Sequence, residues 1–132
     1  MPFPLDEQYI VKTEDKLGLK FPDTFRNKMI IENGGEVKTP TDSWELHPFF
    51  DTSDRTRLRR TSNDIIRETA SAKEWVGFPE NAIAIGQNDF GDRLIFLPSE
   101  SDSTILDKAV YWWDHETGNI QKIANDFSDL ID

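Results

Sequence analysis

Phe78-Pro79-Glu80-Asn81-Ala82-Ile83-Ala84-Ile85-Gly86-Gln87-Asn88-Asp89-Phe90-Gly91-Asp92-Arg93-Leu94-Ile95-Phe96-Leu97 is the stretch that decides the fold. Pro79-Glu80-Asn81 reads as a turn. Ala82 to Gly86 is a short apolar strand. Gln87 to Gly91 holds the residues of a tight turn. Leu94 to Leu97 is apolar on both faces, the pattern of a central strand.

Downstream, Val110-Tyr111-Trp112-Trp113 forms another strand after a polar loop over 98–108. His115 to Asn119 turns the chain and Ile120 to Ile123 returns as a hairpin partner. Asp126 caps a last short helix through Phe127, Leu130 and Ile131. Upstream, Asp6 caps a helix running to Leu17, with Ile10, Thr13 and Leu17 along one face and Gly18 placed to end it. Pro22 opens a second helix at its first position, with Phe25 and Met29 one turn apart, and Asn33-Gly34-Gly35 stops it. Residues 36–50 are extended, Trp44 and Leu46 alternating with Ser43, Glu45 and His47. Residues 51–60 read as a polar loop. Thr61 is expected to cap a third helix with Asp64 reaching back, its inner face marked by Ile65, Thr69, Ala72 and Val76. Helices first, then strands, then a helix, predicts one α+β domain over 1–132, a largely antiparallel mixed sheet wrapped by about four helices.

The 132 residues suit one domain, and nine Phe with four Trp supply a core despite a 36% apolar content. With no cysteine, disulfides, thiolate catalysis and thiolate zinc sites are excluded. The N-terminus lacks a basic stretch followed by an apolar run, and no segment has the composition of a membrane span, so a cytoplasmic address is expected. The net charge of −10 is uneven. Residues 1–50 hold nine acids and six bases, residues 51–73 four acids and six bases, and residues 74–132 twelve acids and three bases. Such a field repels nucleic acid and anionic membrane and attracts basic partners.

Four blocks share an order with a known family. They are Ile10 to Phe25 with Leu17-Gly18-Leu19 and Phe21-Pro22-Asp23; Asn33-Gly34-Gly35; Phe78 to Gly86 followed by Asn88 to Asp92; and Val110 to Gly118 followed by Ile123-Ala124 and Phe127 to Ile131. In this order they resemble the SUKH superfamily, the group of the yeast Smi/Knr cell-wall-assembly regulators and of many bacterial toxin-immunity proteins. Residues 36–73 match poorly. The resemblance implies an α+β sheet wrapped by helices, no enzymatic activity, no cofactor and, in bacteria, a cytoplasmic immunity protein that neutralises a cognate toxin, often a nuclease. The long disordered flanks of the fungal regulators have no counterpart here, which favours the bacterial branch. A general intracellular adaptor is the alternative.

The candidate partner-binding residues are Asp89, Asp92, Trp113, Asp114 and Glu116 in the acidic half, with Asp42 and Trp44 in the competing stretch 36–60. Carboxylates there could take positions that a nuclease offers to phosphate. Asp114-His115-Glu116 has metal-ligating residue types, but neighbours on a strand point to opposite faces, so a hairpin turn is the expected reading and no metal site is assigned. No catalytic motif accompanies His47 or His115; a pocket around Trp113, Asp114 and His115 is the small-molecule or hydrolytic alternative. Asn88 to Asp92 lacks the spacing of a calcium loop. Arg55-Thr56-Arg57-Leu58-Arg59-Arg60, without interleaved aromatics, suits acids of its own domain or a partner better than nucleic acid.

Overall fold

The computed structural model describes residues 2–130. Helix α1 (Glu7–Leu17) starts where the Asp6 carboxylate accepts the Gln8 N–H, and ends at Gly18, whose φ of 68° lets its N–H reach the Glu14 carbonyl. Glu14 is buried on the inner face of α1 and its carboxylate accepts the Phe21 N–H at 2.8 Å and Arg26 Nε at 3.2 Å, tying α1 to α2 (Asp23–Ile31). Pro22 stands one position before the expected one, as the residue preceding α2. At the far end of α2, Asn33 exchanges two hydrogen bonds with the backbone of Phe49, Nδ2 to its carbonyl at 2.9 Å and Oδ1 from its N–H at 2.8 Å.

Six strands follow: β1 (Glu36–Lys38), β2 (Ser43–Leu46), β3 (Ile83–Gln87), β4 (Arg93–Phe96), β5 (Val110–Trp113) and β6 (Ile120–Ala124). They pair antiparallel in chain order. Among the described residues, parallel pairing is confined to an isolated bridge, Lys20 to Ile105. Side chains alternate across the sheet. Trp44, Leu46, Ile83, Ile85, Leu94, Phe96 and Val110 belong to the main core with α1, α2 and the closing 3-10 helix (Phe127–Leu130). Ala82, Ile95 and Trp113 form a smaller cluster on the other face, with Phe78, Leu97 and Tyr111 against it. The main core is built around Phe25, whose ring lies 4.9–5.8 Å from those of Phe127, Phe96, Phe21 and Phe49.

The stretch 51–60 is not a loop throughout: Arg55–Arg60 is helix α3, capped by Asp54. No residue of α3 is buried, so no apolar period announces it. Thr61 ends α3 instead of starting α4, donating to the Arg57 carbonyl at 2.8 Å and accepting the Asp51 N–H at 2.9 Å. Asp64 caps α4 (Ile65–Ala72). Val76 was expected inside, but α4 has ended by then and Val76 is 93% exposed. The last helix is a single 3-10 turn, and Ile131 lies outside the described residues.

His47 leaves the alternation expected of it as an outward residue and is 1% exposed. Its Nε2 lies 3.3 Å from Arg93 NH1, which also donates to Glu68 of α4 at 3.1 Å. A guanidinium only donates, so Nε2 accepts and the proton sits on Nδ1, a buried group with no hydrogen-bond partner. Burial, and secondarily the Arg93 charge, push the His47 pKa down to about 3. The unfolded chain binds this proton near pH 6.5 and the folded one only near 3, so the contribution of His47 to stability falls as pH drops through that window.

Two outcomes test this frame. Phe25→Ala should cost about 3–5 kcal/mol in urea unfolding, as expected for a fully buried aromatic. His47→Gln should flatten the stability profile between pH 6.5 and 4 relative to the parent chain, by up to about 1.4 kcal/mol per pH unit. Parallel profiles in denaturant titrations would show that His47 is not buried neutral.

Candidate functional site

A sheet paired antiparallel in chain order places the β1–β2, β3–β4 and β5–β6 turns at one end. Asp42, Asp89, Asp92, Asp114 and Glu116 all lie in or beside these three turns, although 74 positions separate the first from the last. The turns touch directly. Asn88 Nδ2 is 3.5 Å from Asp42 Oδ1 and from Asp92 Oδ2, while Asn88 Oδ1 accepts the N–H groups of Phe90 and Asp92 at 3.0 Å. Gly91, at φ 91°, makes this turn and stacks beside the His115 imidazole.

Asp92 is the hub. It is 8% exposed, and its carboxylate accepts Trp112 Nε1 at 3.0 Å, the His115 N–H at 3.1 Å and His115 Nδ1 at 2.6 Å. Burial alone would raise its pKa, but the donors from His115, Trp112 and Asn88 outweigh it and hold the carboxyl below the usual carboxylate range. An ionised Asp92 requires the proton of His115 on Nδ1. Asp114 shapes the next turn, its Oδ1 accepting the Glu116 N–H at 2.8 Å.

The expected binding residues therefore divide. Trp44 and Trp113 are fully buried. Trp44 packs edge-on against Trp112 at 5.3 Å, and Trp113 lies under Phe78 at 5.0 Å with Nε1 donating to the Gly77 carbonyl. Neither reaches a partner, because the sheet is covered on both faces at these positions. Asp92 is likewise spent inside the turn network. Asp89 and Glu116 are exposed, and Asp42 and Asp114 half-exposed.

The structure adds residues that the sequence reading passed over or, for Val76, placed inside. Trp75, Val76 and Phe90 are 50%, 93% and 73% exposed. Trp75 stands edge-on to His115 at 5.5 Å, and Gly77 lies against Gly118, so the segment after α4 joins the hairpin end. Ile120, 44% exposed, begins β6 beside it. The signal in the sequence was a Trp-Val pair just before Gly77 and a Phe at a turn tip, places where packing does not require large apolar side chains.

Asp92, Asp114 and His115 bring one possible metal-ligand atom each within 4.8 Å of one another. Asp114 and His115 converge here because the chain has left the strand, contrary to the opposite-faces expectation. The internal hydrogen bonds already engage Asp92 and His115 Nδ1, so the geometry is that of a braced turn.

No described helix is long and apolar enough to cross a membrane. No curated protein and no solved structure matches the chain. Residues 4–132 match the model of the SMI1 / KNR4 family (SUKH-1), and the chain belongs to that family.

Proposed function

We propose that this chain is a non-enzymatic immunity protein of the bacterial cytoplasm, which binds and neutralises a basic toxin domain, a nuclease being the leading class, through the hairpin end of its sheet. One observation carries the reading: Trp75, Val76 and Phe90, large and exposed, lie in segments bordered by the carboxylates of Asp89, Asp114 and Glu116. Apolar anchors ringed by like charge fit a partner whose own apolar spots are surrounded by Lys and Arg. Family membership supports a protein-binding role of toxin-immunity or Smi1/Knr4 type. The acidic rim speeds encounter and selects basic partners; the aromatic anchors hold them. In this reading Asp92 contributes by fixing the turns.

The test uses the purified toxin domain of the adjacent reading frame. Trp75→Ala and Phe90→Ala should each weaken binding by about 2 kcal/mol, roughly thirtyfold in Kd, while leaving the thermal midpoint nearly unchanged. The triple change Asp89→Asn, Asp114→Asn, Glu116→Gln should slow association, most at low salt, with little effect on dissociation. Parental affinity and association rate in both sets would remove this surface. An adaptor role gains if no toxin gene adjoins and these variants instead lose a partner of another kind.

A further inference from the structure

The surface carries a second charged feature, of opposite sign. Tyr9, Lys12, Thr13 and Lys16 follow the spacing that places side chains on one stripe of α1. The first half of α4 faces that stripe with Ile66 and Arg67, and an open cleft of about 510 Å³ lies between, with Tyr9 and Phe50 in its lining. Lys12 sits 4.9 Å over the Tyr9 ring.

Some cations elsewhere are paired with acids, while among the described residues Lys20, Arg55, Arg59, Lys73, Lys108 and Lys122 stand singly on the surface; the cleft differs in gathering three unpaired cations beside aromatic rings. Arg26 pairs with Glu7 and Glu14, Arg57 with Asp51 and Asp54, and Arg93 with Glu68. Among the described residues, Lys12, Lys16 and Arg67 form no such pair, although the chain has 25 acids against 15 bases. Lys12 and Lys16 stand one helical turn apart and carry like charge, an arrangement the helix itself does not favour. Asp64 is the one acid in the described lining, and its Oδ1 is engaged as the α4 cap, accepting the Arg67 N–H at 3.0 Å.

We propose that this cleft docks an acidic segment of a partner protein, with carboxylates on Lys12, Lys16 and Arg67 and an apolar side chain over Tyr9 and Phe50. The cations are spread along two helices. Lys12 and Lys16 lie one turn apart on α1 and Arg67 lies on α4, an arrangement that suits several carboxylates spaced along a chain. The aromatic lining asks for apolar contact in addition to charge. The net charge of −10 opposes nucleic acid as the occupant. This site is independent of the hairpin end and would let one molecule hold an acidic and a basic surface together.

The probe is a fluorescein-labelled peptide of glutamates carrying two phenylalanines, titrated into the full chain by anisotropy and by amide chemical shifts. Binding should weaken with salt and shift the amides of Tyr9, Thr13, Phe50 and Arg67. The double change Lys12→Glu, Lys16→Glu should weaken it by about tenfold or more, whereas Arg55→Glu with Arg59→Glu should leave it within about twofold. All four positions are exposed, and a melting curve confirms that each variant folds. No binding, binding indifferent to the lysine changes, or shifts centred on Arg55–Arg60 would overturn the proposal. Equal binding of an all-glutamate peptide, or displacement of the probe by tripolyphosphate at matched charge, would overturn the assignment to an apolar-acidic protein segment. Salt-independent self-association that fills the cleft with a second copy of this chain would overturn it as well.

Discussion

Pairing six strands antiparallel in the order in which they are made leaves the chain no freedom over where its hairpins go. Alternate turns must fall at the same end, so residues as distant as Asp42 and Glu116 become neighbours without a long-range contact having to select them. The same pairing sets the faces. Leu94 and Phe96 go to the Phe25 core while Ile95 goes to the smaller cluster with Trp113. Both depend on register, and the register near the turns is braced by Asn88 and Asp92, whose side chains bind the backbone of their own turn and of the next. A one-residue slip would turn Phe96 away from Phe25 and put Ile95 in its place.

Charge is handled differently inside and outside this frame. The buried acids are each given donors or an opposite charge: Glu14 has the Phe21 N–H and Arg26, Asp51 has the Ser53 N–H and the nearby Arg57 charge, and Asp92 has His115 and Trp112. Burying a carboxylate is tolerable only on those terms. The buried His47 is instead kept neutral, next to a guanidinium that is itself paired with Glu68. At the surface, the acids of the hairpin tips and the cations of the α1–α4 cleft have little or no such internal compensation.

Much of the fold was legible because it depends on local rules. The caps at Asp6 and Gly18, the turn residues of 87–91 and 115–119, and the apolar runs of β3 and β4 are each written within a few residues. The failures have a common cause, since exposure is a property of the neighbouring layer and not of the strand. Trp44, Trp113 and Asp92 have the residue types of a binding surface and are buried because Trp112, Phe78 and His115 cover or engage them. Helix α3 buries nothing, so its sequence carries charge and no period. Val76 continues the spacing of Ile65, Thr69 and Ala72, but α4 ends at Ala72 and leaves Val76 in solvent.

That division of labour within the hairpin end bears on how a binding surface can vary without loss of the fold. Asp92, Asn88 and Gly91 hold the turns from inside, and changing them disturbs hydrogen bonds that nothing else replaces. Asp89, Phe90, Val76 and Glu116 stand on the resulting platform and contribute little to its stability, since exposed side chains away from caps and cores shift it by about 0.5 kcal/mol or less. Their identities are thus left open by folding, and a valine and a phenylalanine in water are costly to solubility when they serve nothing. Positions that folding does not constrain are filled here with residues that folding would not choose, and the proposed binding role supplies a reason for them.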